Sequence, residues 1–333
     1  MRQALANLFR SRELAVALVL VAAVVLTALK SESFVFSADG WRNLLVTPAM
    51  LVILAVGQAA VIITRNVDLS VGSVLGLTAY MTGRIFIEAP DIPIALVVLA
   101  AIGLGAVLGL VNGVVVAFAK VPALVITLGT LYIYRGVFLT WAGSDRINAS
   151  DLPDDFLALG NEQIASIPLL TIVALLVLVA VGYYMYYSRG GREMYAIGSD
   201  PGAARLYGLP VTRRVVSAFV LSGALAGLAG VVYAVRYGTV SSGAGLGIEL
   251  EAVGAAVIGG VAIFGGSGTV WGAAIGATLL VTINRALPVV GISDFWQRAV
   301  VGALILAAIV LDRVLALRRE RRLSVERDTR SLA

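Results

Sequence analysis

The chain contains no cysteine and no histidine. That excludes disulfides, thiol nucleophiles, histidine metal sites and histidine acid–base chemistry. Charge is scarce too: 14% of the 333 residues are Asp, Glu, Lys or Arg, against about one quarter in an ordinary soluble domain. A phosphate-cradling Gly-x-x-x-x-Gly-Lys-Ser/Thr loop is missing. Gly259-Gly260 and Gly265-Gly266-Ser267-Gly268 lack the lysine and read as a tight interhelical turn. If a nucleotide powers this protein, another chain binds it.

What is present is apolar. Hydrophobic residues make up 59% of the chain, and the mean hydropathy is +0.96. The 36 glycines sit inside apolar runs with Ala and Ser, where small residues let membrane helices pack backbone to backbone. The net charge of +5 does not signal nucleic acid, because the basic residues flank apolar runs, as they do at membrane spans.

The pattern predicts an all-α, polytopic membrane protein with about ten transmembrane helices, some broken or re-entrant. Residues 1–333 then form a single transmembrane domain. The first span is Leu14–Leu29, behind Arg2, Arg10 and Arg12. It also has the form of a signal peptide, but no convincing small-residue cleavage site follows, so a retained helix is expected. Further spans are Leu45–Thr64, Leu69–Ile87, Ile94–Ala119, Ala123–Trp141, Ile164–Tyr187, Val215–Val235, Ala252–Phe264, Thr269–Asn284 and Arg298–Leu311. Ala252–Phe264 is short and glycine-interrupted. It reads as a full span, a broken helix or a re-entrant segment, and counting it as spanning keeps both termini cytoplasmic. Arg2, Arg10, Arg12, Arg65, Lys120, the loop 188–214 and the arginine-rich tail 313–333 then share the inner side. Lys30, Arg42, Arg146, Arg236 and Arg285 fall outside, as do Trp41, Trp141 and Trp296 at span boundaries. Tyr183, Tyr184, Tyr186 and Tyr187 form an interfacial belt.

Several stretches stand out. In Asn66-Val67-Asp68-Leu69-Ser70-Val71-Gly72-Ser73, an acid at the mouth of a span needs a partner or water. Asp68 or Ser70 serves either as a helix cap or in a solute pathway, and the two roles are compatible. Asp68-Leu69 with Val71-Gly72 is faintly echoed by Glu249-Leu250 with Val253-Gly254, each leading into a glycine-interrupted segment. Thr127 and Thr130 share a helix face, either toward a hydroxylated solute or bonded back to their own helix. Arg135 is expected to snorkel or to meet the acidic loop 142–163. Asn112 and Asn284 are expected to bond helix to helix. In the basic loop, Ser199-Asp200-Pro201-Gly202 is a helix-start signal, and Gly208 and Pro210 end the short helix after it. That helix is either a docking knob or an ordinary solvated loop.

These residues resemble the membrane permeases of bacterial ABC sugar importers, the ribose, xylose, arabinose and galactose group. The resemblance is carried by Asn66–Ser73, Val121–Thr130 with Tyr134-Arg135-Gly136, Ala196–Gly208, Leu221–Gly230, Glu249–Gly260 and Gly265–Gly268. The form Thr64-Arg65-Asn66-Val67-Asp68 is closer to the rhamnose and autoinducer-2 permeases. The resemblance implies a bacterial inner-membrane permease paired with a second permease, as homo- or heterodimer. It also implies two cytoplasmic ABC ATPase subunits and a periplasmic sugar-binding protein. No cofactor is then bound by this chain, and ATP and Mg belong to the ATPase. Residues 188–214 become the cytoplasmic coupling loop, with Asp200, Ala203, Ala204, Arg205 and Gly208 facing the ATPase. Ala203-Ala204-x-x-x-Gly208 looks like the coupling motif Glu-Ala-Ala-x-x-x-Gly, with Gly202 in place of its Glu. A neutral sugar needs only a few polar groups on its path, and Asn66, Asp68, Ser70, Asn112, Thr127 and Glu249 are the candidates. The rival is an ion- or proton-coupled secondary transporter, which would need Asp68 and Glu249 as coupling carboxylates. A membrane-embedded enzyme is disfavoured by the missing His and Cys.

Overall fold

Hydropathy makes the spans look alike, but burial sorts them. The computed structural model describes residues 12–119, 121–293, 295–297, 299–304, 306, 307 and 310. The tail 313–333 lies outside the described residues, as do residues 1–11 and Lys120, and the span expected over Arg298–Leu311 is described only in part. The long helices are α1 (Arg12–Lys30), α2 (Ala38–Ile63), α3 (Val71–Glu88), α4 (Ile94–Ala119), α5 (Ala123–Ala142) and α6 (Leu169–Tyr187). Two short helices follow, α7 (Arg189–Ser199) and α8 (Pro201–Leu206), and then α9 (Val211–Tyr237), α10 (Ile248–Ile258) and α11 (Val270–Val289).

Every residue of α2 from Leu51 onward is buried, and so are the first ten of α3. α9 packs against α4, α3 and α2, while α11 packs against α2, α1 and α10. α4 and α5 instead leave one face bare, with Leu99, Val107, Phe118, Val125, Tyr132 and Ile133 exposed. In hydrocarbon such a face carries no penalty, so helices must associate through close packing and polar contacts. Close packing of this kind joins α4 to α9 along several turns. A Cβ added to Gly105 would lie 2.1 Å from the Gly223 carbonyl oxygen, and one on Gly223 would lie 2.2 Å from that of Gly105. Gly109 meets the Phe219 carbonyl in the same way, and Gly227 that of Ala101.

Seven helices among the described residues are long and apolar enough to cross a membrane: α1, α2, α4, α5, α6, α9 and α11. Of the ten expected, Arg298–Leu311 is described only in part, and two others fall short for physical reasons. α3 has 18 residues but carries Arg84 and Glu88. α10 has only 11 residues, about 16 Å of helix against a hydrocarbon core of about 30 Å. Ala252–Phe264 is therefore not a spanning helix. The chain still crosses the molecule there. Val240 pairs with Ile147 at one end, and Gly266 N–H donates to the Ile63 carbonyl at the other (2.9 Å). An irregular stretch, 238–247, and the half-length α10 share the crossing.

Among the described residues the paired strands are those of a hairpin in the acidic loop. Gln163–Ile164 pairs with Ile167–Pro168, and Ala165 and Ser166 turn it with φ of 50° and 68°, the pattern of a tight type I′ turn. Beside it, Phe156 packs on Phe86 (4.7 Å between ring centroids).

The α4–α9 contact predicts a sharp contrast. Gly109→Leu should lower stability by about 1–3 kcal/mol or more, because backbone must move to admit it. Gly103→Ala, where nothing lies within 4 Å, should be neutral or stabilise by up to about 1 kcal/mol. Thermal unfolding in detergent, read beside membrane yield, checks both.

Candidate functional site

Helix α2 ends at Thr64, and α3 does not begin until Val71. The backbone between them leaves the helix yet is buried at Asp68 and Ser70. Buried polar groups must be partnered, and side chains from three helices do this. Gln58 Nε2 donates to the Asp68 carbonyl, and Thr127 Oγ1 donates to that of Val67 (3.0 Å). Asp68 Oδ1 accepts from Ser70 N–H (2.9 Å) and Ser70 Oγ (2.7 Å). Asn112 Nδ2 donates to Ser70 Oγ (2.7 Å), and Tyr134 Oη donates to Asn112 Oδ1 (3.1 Å). The carboxylate is thus the cap of the α3 approach, while Ser70, at the cap position itself, makes no side-chain cap bond.

A second irregular stretch, 238–247, meets the start of α3. Arg135 is buried rather than snorkelling. Its Nη1 donates to the Ala244 carbonyl (2.6 Å) and its guanidinium lies over Phe138. A Cβ on Gly72 would collide with the Gly245 carbonyl at 2.5 Å and with Glu249 Oε2 at 2.1 Å. Gly245 has φ of 76°, a conformation glycine adopts without penalty. The faint echo between Asp68–Gly72 and Glu249–Gly254 therefore becomes a contact: the stretch 238–247 and Glu249 touch the first turn of α3 at Gly72. Glu249 itself accepts from Gly247 N–H (3.2 Å) and is not part of the Asp68 network.

The loop 188–214 folds into two capped helices. Ser188 Oγ accepts from Gly191 N–H to start α7 (2.9 Å). Asp200 Oδ1 accepts from Gly202 and Ala203 N–H to start α8 (2.9 and 3.0 Å), with Pro201 in its first turn. α8 closes with Gly208 N–H on the Arg205 carbonyl and Leu209 N–H on that of Ala204. Gly208 has φ of 73°, which completes a Schellman ending. Ala204 is buried, whereas Leu206 and Tyr207 are 89% and 86% exposed. Buried Glu193 ties α7 to α9, accepting from Arg214 Nε (2.6 Å), and also accepts from Arg189 Nε one turn back on its own helix (2.7 Å). Those two guanidiniums, Arg214 first, hold its carboxyl below the usual glutamate range.

The stretch after α2, the end of α7 and the turn before α11 meet at Arg65. Its Nε donates to the Gly198 carbonyl (2.5 Å) and its Nη2 to that of Ser199 (2.7 Å). Its own φ is 65°, a left-handed conformation that costs an ordinary residue about 1–2 kcal/mol. A cleft of about 250 Å³ opens beside it, lined by Asn66, Arg205, Pro201 and Thr212 among others.

Two comparisons place this geometry among known proteins. Residues 41–309 match the family described as branched-chain amino acid transport system / permease component. The chain belongs to that family. Among curated relatives, the autoinducer 2 import system permease protein LsrC of Enterobacter sp. (strain 638) is 34% identical over 307 residues, which cover 92% of this chain and 88% of the relative. The Klebsiella pneumoniae LsrC is 36% identical over the same coverage. That of Escherichia coli (strain K12 / DH10B) is 35% identical over 274 residues, 82% of this chain and 79% of the relative. No solved structure matches. The chain is thus a permease subunit of an ATP-driven importer, a transport component and not an enzyme.

Of the residues singled out in the sequence of this permease, Asp68, Ser70, Asn112 and Thr127 come together in one buried network. Asn66 lies outside it, bonding locally to Thr64, and Glu249 lies across the first turn of α3. Thr127 bonds chiefly to another segment, and Thr130 returns to its own helix. Asn112 does bond helix to helix, whereas Asn284 Oδ1 is buried with no hydrogen-bond partner among the described residues. Asp200, Ala203, Ala204, Arg205 and Gly208 share one short helix and its close. Sequence reasoning missed Gln58, Tyr134, the clamp at Arg65 and all of α7. Ser188 before Arg189–Ser199, with Met194 and Ile197 one turn apart, was the available signal for that helix.

Two outcomes follow. Asp68→Ala should cost about 1–3 kcal/mol by stripping the acceptor from buried Ser70, while Asn66→Ala should change unfolding little. Because the folded-state pKa of Glu193 is depressed, its stabilisation is present above the ordinary glutamate value and is lost as pH falls through the folded one. The unfolding temperature should therefore drop below about pH 4.3, and Glu193→Gln should flatten that drop.

Proposed function

We propose that this permease forms the path for a small, neutral, polyhydroxylated solute of the autoinducer-2 or monosaccharide class, rhamnose and ribose among them. A periplasmic binding protein delivers the solute, and ABC ATPase subunits using ATP and Mg drive its passage. The curated relatives are autoinducer-2 import permeases, and a neutral solute agrees with the few ionisable groups inside the bundle. In this reading a second permease pairs with this one as homo- or heterodimer. Both termini and the loop 188–214 lie on the cytoplasmic side, in agreement with the basic residues there. Asp68, Ser70, Asn112 and Thr127 border the path through the segment they hold, with Asn66 and Glu249 at its two flanks.

The observation that carries the reading is α8. A six-residue helix, capped at its start and closed by Gly208, presents Leu206 and Tyr207 almost fully to the outside. Large apolar side chains held so far out on a rigid support suit a protein partner. Asp68 accepts from Ser70 at close range and serves as a backbone cap, which speaks against a coupling carboxylate.

The test is ATP-dependent uptake of labelled autoinducer 2, L-rhamnose and D-ribose into vesicles holding the permease, its ATPase and its binding protein. Ala204→Asp buries a charge and Gly208→Asp strains the left-handed close, so each should reduce uptake at least about tenfold while the protein still inserts. Uptake driven by an ion gradient without ATPase would overturn the reading. Because the chain has no native cysteine, Leu206→Cys offers a unique thiol. It should react with a membrane-impermeant maleimide from the cytoplasmic side alone.

A further inference from the structure

We propose that Arg65 is a positioning residue that fastens the α7–α8 unit to both broken crossings of the membrane, so that displacement of α8 moves them together. The proposal rests on the transport reading above.

Three segments converge at this residue. The first is the end of α7, whose Gly198 and Ser199 carbonyls accept from the Arg65 guanidinium. These carbonyls lie at the last residues of the helix, where backbone acceptors lack intrahelical donors. The second is the stretch Thr64–Ser70, of which Arg65 is the second residue and which carries Asp68 into the interior. The third is the turn between α10 and α11. Gly266 N–H donates to the Ile63 carbonyl (2.9 Å), and Tyr195 Oη, on α7, donates to the Gly268 carbonyl (2.9 Å). No slack remains among them: a Cβ on Gly198 would lie 1.7 Å from the Ile63 carbonyl oxygen, and one on Gly265 2.3 Å from Arg65 Cγ.

The backbone of Arg65 makes the case specific. Its φ of 65° suits glycine or asparagine, and a residue held there against its preference points to a use for its side chain. Here that side chain spans two carbonyls with a planar fork, a geometry lysine does not reproduce. Removing the guanidinium leaves α8 folded, because its cap and close are its own. It disconnects α8 from the segment that holds the Asp68 network.

Arg65→Gly isolates this role, since it relieves the backbone while deleting the fork. In permease purified without partners, amide hydrogen exchange at Val67–Ser70 and at 262–266 should accelerate at least about tenfold, with α5 unchanged. In the complete reconstituted importer, with autoinducer 2 and D-ribose as solutes, ATP consumed per solute imported should rise about fivefold or more, while co-purification of the ATPase stays at wild-type level. Arg65→Lys should fall between. Wild-type exchange and a wild-type ATP-to-solute ratio in Arg65→Gly would overturn the proposal. Absence of ATP-driven uptake in the unsubstituted complex would overturn the transport reading instead, and exchange in the isolated permease would still decide whether Arg65 fastens the three segments.

Discussion

Backbone contact between α4 and α9 is the constraint on which this permease depends. In water, apolar burial would hold the helices together. In lipid the surroundings are as apolar as the side chains, so the helices gain most where their backbones come closest. Gly105, Gly109 and Gly113 on α4 face Phe219, Gly223 and Val216 on α9, with carbonyl oxygens where a Cβ would stand. That fixes the register of α9, against which α2 and α3 also pack. Gly230 extends the effect, because its bare Cα lies against Thr78 and the Leu75 carbonyl of α3.

A register held this closely lets two crossings remain partly unwound. Exposed to lipid, Thr64–Ser70 and 238–247 would carry unsatisfied peptide groups at high cost. They survive because the surrounding helices are near enough to supply donors: Gln58 and Thr127 to the first stretch, Arg135 to the second. Each donor comes from a neighbouring spanning helix. The polar residues of the bundle thus replace the water that an interrupted helix would otherwise need, and a shift of α2 or α5 would leave carbonyls stranded.

The sequence made some of this legible and hid the rest for definable reasons. The long spans, the Asp200 cap and the Gly208 close rest on local rules, and they appear where those rules put them. The weak echo between Asp68–Gly72 and Glu249–Gly254 was visible, but the fact that Gly72 touches Gly245 was not, because no periodicity reports a contact between distant irregular segments. Arg135 misled for a related reason. An arginine near a span end ordinarily reaches water, and only the presence of the Ala244 carbonyl inside the bundle makes burial the better outcome. Gln58 looked like one polar residue in an apolar run until its acceptor, ten residues on, folded back beside it. α10 failed the length rule because half of its crossing is not helix at all.

Rigidity in the bundle and connection at its inner end bear on how such a permease moves. A close-packed seam does not deform gradually, so displacement concentrates where elements are joined by few, directional bonds. Around α7 those bonds are the Glu193 pair with Arg214, the Arg65 fork and the Gly266 link to Ile63. They join α7, the start of α9, the stretch Thr64–Ser70 and the turn between α10 and α11. On the proposal made for Arg65, a push on Leu206 and Tyr207 would reach not a single helix but the stretch Thr64–Ser70 and the turn that closes the half-length α10. Those places have the least helical bonding to lose, which makes them the least costly part of the bundle to rearrange.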